Sequence, residues 1–103
     1  FYFEGGLVSL IKFYNKFLGL MFRNLKENEV AVLKDYNQET LHTLFVFYPI
    51  DIVFLDKNRK VIEIKRNIKP FTLKIIPNKK AKYVLEFKSD FTKDIKIGQR
   101  IKL

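Results

Sequence analysis

The chain has no cysteine and no tryptophan, and its 103 residues include a single histidine, His42. Without cysteine there can be no disulfide framework, no thiolate nucleophile and no cysteine-ligated zinc. One histidine also excludes the usual multi-histidine metal cages, so we expect neither a metal nor a cofactor. The four glycines, Gly5, Gly6, Gly19 and Gly98, lack the spacing of a dinucleotide-binding loop or a P-loop. These absences remove many classes of enzyme.

Long hydrophobic runs are missing as well. The longest apolar stretch, residues 7–22, is interrupted by two lysines and an asparagine and is too short and too polar to span a bilayer. We therefore expect a soluble protein without a membrane span. The lack of cysteine and the richness in lysine and isoleucine favour a cytoplasmic location. Because the sequence begins at Phe1, a removed signal peptide stays an open alternative.

Apolar and aromatic residues are abundant, at 48% and 16% of the chain, and eleven residues are phenylalanine. Such a chain has enough apolar surface to offset the entropy of ordering, which excludes a disordered tail. A length near 100 residues suits one hydrophobic core. We expect a single domain over residues 1–103, present as a monomer or a weak dimer.

The apolar pattern predicts a mainly β fold, bordering on α+β: one small barrel-like domain of seven or eight short strands with one short helix. The helix is predicted near residues 14–21, where apolar positions recur at spacings of three and four. Closely spaced turn residues are typical of a barrel or sandwich without exposed edges. The segments predicted as strands are 7–12, which equally suits the start of the helix, and 30–33, 43–47, 52–55, 60–66, 72–76, 83–87 and 100–103.

A hairpin is predicted around residues 56–59, because Asp and Asn side chains cap tight turns. The strand before it, 52–55, is apolar on both sides and needs cover on both faces. In the strand after it, 60–66, alternation assigns Ile62 and Ile64 to one face.

Three other segments carry face assignments. The run 43–47 is apolar on both sides. In 72–76, Leu73 and Ile75 are expected to point inward, and 83–87 is expected to be a half-buried strand.

Four blocks of the sequence have a distinctive order and spacing: Gly19–Arg23, Leu41–Asp56, Lys69–Phe71 and Tyr83–Glu86, followed by Gly98. These blocks resemble those of an uncharacterised family, domain of unknown function 192, also called uncharacterised protein family 0127. The resemblance extends over about residues 17–103. It implies a small, mainly β, barrel-like domain with a short helix, and it implies no reaction.

The formal net charge of +9 lies entirely in one segment. Between Lys57 and Lys82 there are ten basic residues and one acidic residue, Glu63. Such a concentration favours nucleic acid or another anionic partner, with Phe71 and Tyr83 stacking on bases if their rings are exposed. The alternative is a solvated lysine-rich face. The basic residues are Lys57, Arg59, Lys60, Lys65, Arg66, Lys69, Lys74, Lys79, Lys80 and Lys82.

A second candidate site is a polar cluster of His42, Asp51, Asp56 and Glu86. A histidine beside a carboxylate can act as a general base near neutral pH, which makes His42 and Asp51 a remote candidate for a hydrolase-like site. No nucleophile motif accompanies them, and Thr43 points away from His42 in an extended strand. The alternative is that the aspartates cap turns and His42 pins a loop. We therefore assign no catalytic residue.

The function expected from the sequence is that of a non-enzymatic binding or accessory module. Nucleic-acid or other polyanion binding through residues 57–82 is the first alternative, and a hydrolase-like site is the remote one.

Overall fold

The computed structural model describes residues 2–3, 6–7, 10–13, 29–38, 40–41, 43 and 46–102. This part of the chain is mainly β, which confirms the predicted class. The helix predicted near residues 14–21 lies outside the described residues. The strands are β1 (Tyr2–Phe3), β2 (Gly6–Leu7), β3 (Leu10–Phe13), β4 (Glu29–Leu33), β5 (Ile50–Leu55), β6 (Val61–Ile68) and β7 (Tyr83–Lys88).

The two first strands form an antiparallel pair, and the other five form one open sheet in the order β3-β4-β7-β5-β6. β3 runs parallel to β4, whereas β4, β7, β5 and β6 are joined by antiparallel pairings. Within the described residues the sheet therefore ends at β3 and β6. Closure into a barrel is not confirmed, and it stays a prediction together with the total number of strands.

One face of the sheet is covered by the segments that connect its strands, and we call it the loop face. Alternate residues of β4, β5 and β7 point toward it and meet the side chains of Tyr36, Val46, Ile75 and Ala81. The Tyr36 N–H donates to the carbonyl of Lys82 at 2.9 Å, and the Lys82 N–H donates to the carbonyl of Leu55, the last residue of β5, at 2.8 Å. The buried residues of the loop face are Ala31, Leu33, Tyr36, Val46, Ile50, Ile52, Phe54, Ile75, Ala81 and Val84.

The opposite face is covered by residues 91–101, and we call it the tail face. Because β5 and β7 contribute side chains to both faces, the central strands are buried on both sides, as predicted for 52–55. The prediction of a half-buried strand at 83–87 is wrong, since four successive residues there are buried. The buried residues of the tail face are Val30, Val32, Val53, Leu55, Val61, Leu85, Phe87, Ile95 and Ile101.

The predicted hairpin is formed by β5 and β6, but β6 does not alternate regularly. Leu55 pairs with Val61 and Phe54 pairs with Glu63, which leaves Ile62 as an extra residue in a β-bulge. Ile62 packs on the loop face and Ile64 on the tail face. The prediction that both share a face is wrong, because one inserted residue reverses the alternation after it.

The strand predicted at 43–47 is not formed by Thr43, Val46 or Phe47, and residues 44–45 lie outside the described part. The backbone N–H and carbonyl of Thr43 instead bind residues of the turn at 69–72. The apolar residues of this segment indicated a strand. Thr43 instead pairs with a turn, which cannot continue a β-ladder.

Two further predicted strands are reduced to single bridges. In 72–76 only Ile75 pairs, with Leu41; Ile75 is buried as expected, whereas Leu73 is exposed. At the end of the described chain only Arg100 pairs, with Lys60. The first bridge joins two segments that cover the loop face, and the second joins Arg100 to the β5–β6 hairpin, so neither extends the sheet.

Candidate functional site

The turn of the β5–β6 hairpin is organised by Asp56. Its Oδ1 accepts the backbone N–H groups of Asn58 at 2.8 Å and Lys60 at 3.0 Å. The Arg59 N–H donates to the Asp56 carbonyl at 2.9 Å, and Arg59 itself has a positive φ of 64°. Asp56 therefore caps its own turn, which is the structural role that the sequence offered as the alternative to a ligand site. The turn therefore presents Lys57 and its neighbours to solvent in a fixed arrangement.

An open groove of about 810 Å³ runs beside this turn. Its walls are connected by backbone hydrogen bonds: the Lys82 N–H donates to the Leu55 carbonyl at 2.8 Å, and the Tyr36 N–H donates to the Lys82 carbonyl at 2.9 Å. The Gln38 side chain adds a hydrogen bond from Nε2 to the Ala81 carbonyl at 2.6 Å. The groove is lined by Asp35, Tyr36, Asn37, Asp56, Lys57, Asn58, Lys80, Ala81 and Lys82.

The two carboxylates of the groove are both engaged within the chain. Asp35 pairs with Lys82 at 2.9 Å, and the hydrogen bond and charge of Lys82 hold the pKa of Asp35 below its ordinary value. The same contact raises the pKa of Lys82. Both side chains are exposed, so this pair contributes little to stability. Lys57 and Lys80 have no ion-pair partner among the described residues, which leaves their charges available to an anion.

Six of the ten predicted basic residues lie together around this groove and the hairpin turn. All six are exposed. Sequence reasoning missed Arg100, whose Nε donates to the Asn58 carbonyl at 3.1 Å and whose backbone pairs with Lys60. Arg100 reaches this surface because residues 91–101, which we call the tail, cross the sheet and end beside the hairpin turn. The sequence around Arg100 gives no indication of that contact. We call the six residues the basic end: Lys57, Arg59, Lys60, Lys79, Lys80 and Lys82.

The other predicted basic residues lie elsewhere. Lys69 and Lys74 are exposed on the loop after β6, and Lys65 on β6 pairs with Glu63 at 3.0 Å. The Arg66 guanidinium is engaged with the tail: Nη2 donates to the carbonyls of Thr92 and Ile95, each at 2.9 Å, and Nε donates to Thr92 Oγ1 at 3.2 Å.

Asp51 lies near the start of β5 and is buried against the tail, residues 91–101. Its Oδ1 accepts the Asn67 N–H at 2.8 Å and a longer contact from Ser89 Oγ at 3.4 Å. Its Oδ2 accepts the Thr92 hydroxyl at 2.7 Å. Both carboxylate oxygens therefore have donors, as expected of a buried carboxylate that fixes the chain around it.

Glu86 lies in the middle of β7, on the loop face, between Ala31 of β4 and Ile52 of β5. Its side chain is only 6% exposed, and burial raises the pKa of its carboxyl to about 7. No hydrogen bond to this carboxyl is found in the described part of the chain. Glu86 is therefore a buried acid that no described residue stabilises through a hydrogen bond.

The three carboxylates of the predicted polar cluster lie apart from one another in the structure. Asp51 faces the tail, Glu86 faces the loop segments on the other side of the sheet, and Asp56 lies in the hairpin turn beyond the far end of β5. His42 lies outside the described residues. A ligand site or hydrolase-like site at His42 and Asp51 therefore stays a prediction.

The two aromatic residues proposed to flank the basic segment differ in exposure. Phe71 is exposed, whereas Tyr83 is half-buried and packs on the tail face. Within the described ranges, no three His, Asp or Glu side chains lie close enough together to hold a metal ion. The described residues contain no helix long and apolar enough to cross a membrane.

The model of the DUF192 family, an uncharacterized ACR, matches residues 11–103 of this chain. The chain belongs to this family. The resemblance predicted from the sequence blocks is thereby confirmed, and it begins nearer the start of the chain than residue 17. No activity accompanies the family description, so the site must be interpreted from its own chemistry.

Two relatives of this chain come from Pyrococcus species. A UPF0127 protein of Pyrococcus horikoshii is 30% identical over 103 residues, covering 96% of this chain and 88% of the relative. A UPF0127 protein of Pyrococcus furiosus is 34% identical over 76 residues, covering 72% of this chain and 64% of the relative.

Among solved structures, a protein of unknown function from Novosphingobium aromaticivorans is similar, with a TM-score of 0.79 at 23% identity. The match covers 90% of this chain and 72% of that one. At this identity the likeness establishes the fold alone.

Proposed function

We propose that this protein is a non-enzymatic binding module whose partner is a nucleic acid, bound through phosphate groups at the basic end. The observation that carries the proposal is that six exposed cations come from two separate stretches, 57–60 and 79–82, which the Lys82–Leu55 backbone hydrogen bond brings to one end of the sheet. Three of them, Lys57, Lys80 and Lys82, line one open groove there. Among the described residues, one ion pair, between Asp35 and Lys82, offsets part of this charge.

The chemistry of the basic end favours a polyanion over a small substrate. Five of its six residues are lysine, whose compact ammonium group contacts phosphates as a point charge. Several such contacts along one surface release the counterions of a nucleic acid, which gives binding that is insensitive to sequence and sensitive to salt. The charge arrangement thus supports contact with a backbone of regularly spaced phosphates.

A catalytic role has less support. Both carboxylate oxygens of Asp51 already accept hydrogen bonds from residues that hold the tail in place. The cytoplasmic location expected from the composition remains part of this proposal, since nucleic acid is available there.

The experiment compares two double variants with the same change in charge. Lys79→Glu with Lys80→Glu alters the basic end, and Lys93→Glu with Lys96→Glu alters exposed lysines of the tail, outside the groove. Binding to a fluorescent mixed-sequence oligonucleotide is followed by anisotropy at low salt. We expect the first variant to bind at least about tenfold more weakly for all sequences, with the salt slope reduced by about 2. We expect a much smaller effect from the second variant.

Equal weakening by both double variants would mean that total charge alone drives the interaction, and it would refute a specific surface. Unchanged binding of the first variant would refute the basic end as the binding site.

A further inference from the structure

Two large aromatic rings are exposed side by side at the opposite end of β6 from the hairpin. Phe47 is 66% exposed and Phe71 is 47% exposed. Their ring centroids are 5.5 Å apart and the ring planes meet at 73°, an edge-to-face contact. Scattered exposed apolar residues are ordinary, but two adjacent phenylalanines in contact outside the core indicate a surface that meets a partner.

The backbone at Phe71 holds its ring outward at a conformational cost. Phe71 has a positive φ of 61° and follows Pro70 in the turn 69–72. A turn with proline at its second position and positive φ at its third favours glycine or asparagine there, because a side chain at Cβ crowds the backbone. A bulky residue in this conformation persists only where the surroundings enforce it, and such positions cluster at functional sites.

Thr43 supplies that enforcement. Its side chain is fully buried; Oγ1 donates to the Lys69 carbonyl at 2.9 Å and accepts the Thr72 N–H at 2.7 Å. The Thr43 carbonyl accepts the Phe71 N–H at 2.9 Å, and the Thr43 N–H donates to the Thr72 carbonyl at 2.8 Å. The turn is therefore pinned from both sides, and Phe71 is fixed in place before any ligand arrives.

Lysines lead from this aromatic pair to the basic end. Lys69 lies in the turn itself, and Lys74 lines a shallow pocket of about 370 Å³ together with Lys65 and Thr72. The loop then continues to Lys79 and Lys80. No acidic residue occurs from 64 to 85. One carboxylate reaches this path from β6, since Glu63 pairs with Lys65 at 3.0 Å and accepts the Asn78 N–H at 2.7 Å. The path therefore has a net positive charge that Glu63 offsets in part.

We propose that Phe47 and Phe71 form a stacking platform for unpaired bases, so that the nucleic acid bound by this protein is single-stranded. The inference rests on the proposed function of the basic end and specifies its ligand. Bases of any identity stack on an aromatic face, while lysines along the groove follow the phosphates. In a duplex the bases are already stacked on one another and cannot reach these rings.

Charge argues against a second copy of the chain as the occupant. Two copies meeting through this surface would bring their lysines together, and like charges across an interface are strongly unfavourable. A single-stranded nucleic acid supplies both the negative charge that complements the lysines and unpaired bases that can stack on Phe47 and Phe71.

The test uses two oligomers of about 12 residues, one of thymidine and one abasic, which carry the same phosphates and differ only in their bases. Affinity is measured by competition against a labelled strand. For the unmodified protein we expect the thymidine oligomer to bind about tenfold or more tightly than the abasic one. We expect Phe71→Asn, which suits a positive φ, to abolish that preference, and Phe71→Tyr to retain it.

Leu73→Asn is the matched control, since Leu73 is 67% exposed in the same loop and carries no ring. It should keep the preference. Thermal unfolding of every variant verifies that it is folded, and the comparison of the two oligomers on the unmodified protein needs no variant at all.

The two proposals fail differently. Equal, salt-dependent binding of both oligomers would overturn base stacking and leave phosphate binding at the basic end intact; a surface that serves a bilayer or a second copy would give this result. No binding of either oligomer would overturn both proposals. Loss of the base preference in Leu73→Asn as strongly as in Phe71→Asn would overturn the role of the rings.

Discussion

Replacing Glu86 with glutamine changes only the charge of the one buried carboxyl that has no hydrogen-bond partner among the described residues. Glu86 lies between Ala31 and Ile52 on the loop face, and glutamine has almost the same shape. On the next strand of the same row, Lys65 pairs with Glu63 instead. Any pH-dependent difference between the two proteins therefore reports the ionisation of Glu86.

The magnitude follows from the pKa of Glu86, which burial raises from 4.5 to about 7. Between these values the folded state binds more protons at this site than the unfolded state does, so the free energy of unfolding falls as pH rises. At about 1.4 kcal/mol for each pH unit the total effect is about 3 kcal/mol. It is complete slightly above pH 7, and most of it develops between pH 5 and pH 8.

Urea denaturation of both proteins at pH 5 and pH 8 measures this effect, because titration of all other groups is common to both. We expect Glu86→Gln to gain about 2 to 3 kcal/mol relative to the parent between the two pH values. A constant difference between the proteins at pH 5, 6, 7 and 8 would refute the reasoning, since it would mean that Glu86 ionises as it does in water.

Three further substitutions test the packing and the polar contacts, each by urea denaturation. Phe54→Ala should lower the free energy of unfolding by about 3–5 kcal/mol, because Phe54 is fully buried on the loop face; a loss below about 1 kcal/mol would contradict that burial. Asp51→Ala should cost about 2–4 kcal/mol by leaving the Thr92 hydroxyl and the Asn67 N–H without their acceptor, while oligonucleotide binding stays unchanged. Asp56→Ala should cost only about 1 kcal/mol, since its contacts are exposed; a cost as large as that of Asp51→Ala would argue against the hairpin geometry.

The central strands could be predicted from the sequence because strands buried on both faces consist of consecutive apolar residues. Residues 30–33 and 52–55 are runs of apolar side chains, as a strand covered on both faces requires. The hairpin between β5 and β6 followed from Asp56 and its turn chemistry. The burial of both faces of β7 could not be predicted because of Glu86. A charged residue in an alternating pattern normally indicates that one face of a strand is exposed to solvent.

Features that depend on distant partners could not be predicted. The bulge at Ile62 reverses the faces of β6, and no residue in that strand announces it. Thr43 looked like part of a strand because its true partner, the turn at 69–72, lies 26 residues or more away.

The charge of residues 57–82 could be predicted as a whole, but its division could not. Some of these basic residues lie at the basic end and others lie near Phe71. Arg66 instead donates hydrogen bonds to carbonyls of Thr92 and Ile95. Arg100 lies beside the basic end through its contact with Asn58, 42 positions away. Sequence distance conceals such groupings, because they exist only once the sheet and its covering segments have packed.

The most direct test of the account is a titration of the unmodified protein into a fluorescent mixed-sequence oligonucleotide at about 50 and 200 mM salt. Six phosphate contacts at the basic end predict that affinity falls by about 10²–10³-fold over this range. Absence of binding at the lower salt, or an affinity that does not depend on salt, would contradict the claim that the basic end binds nucleic acid.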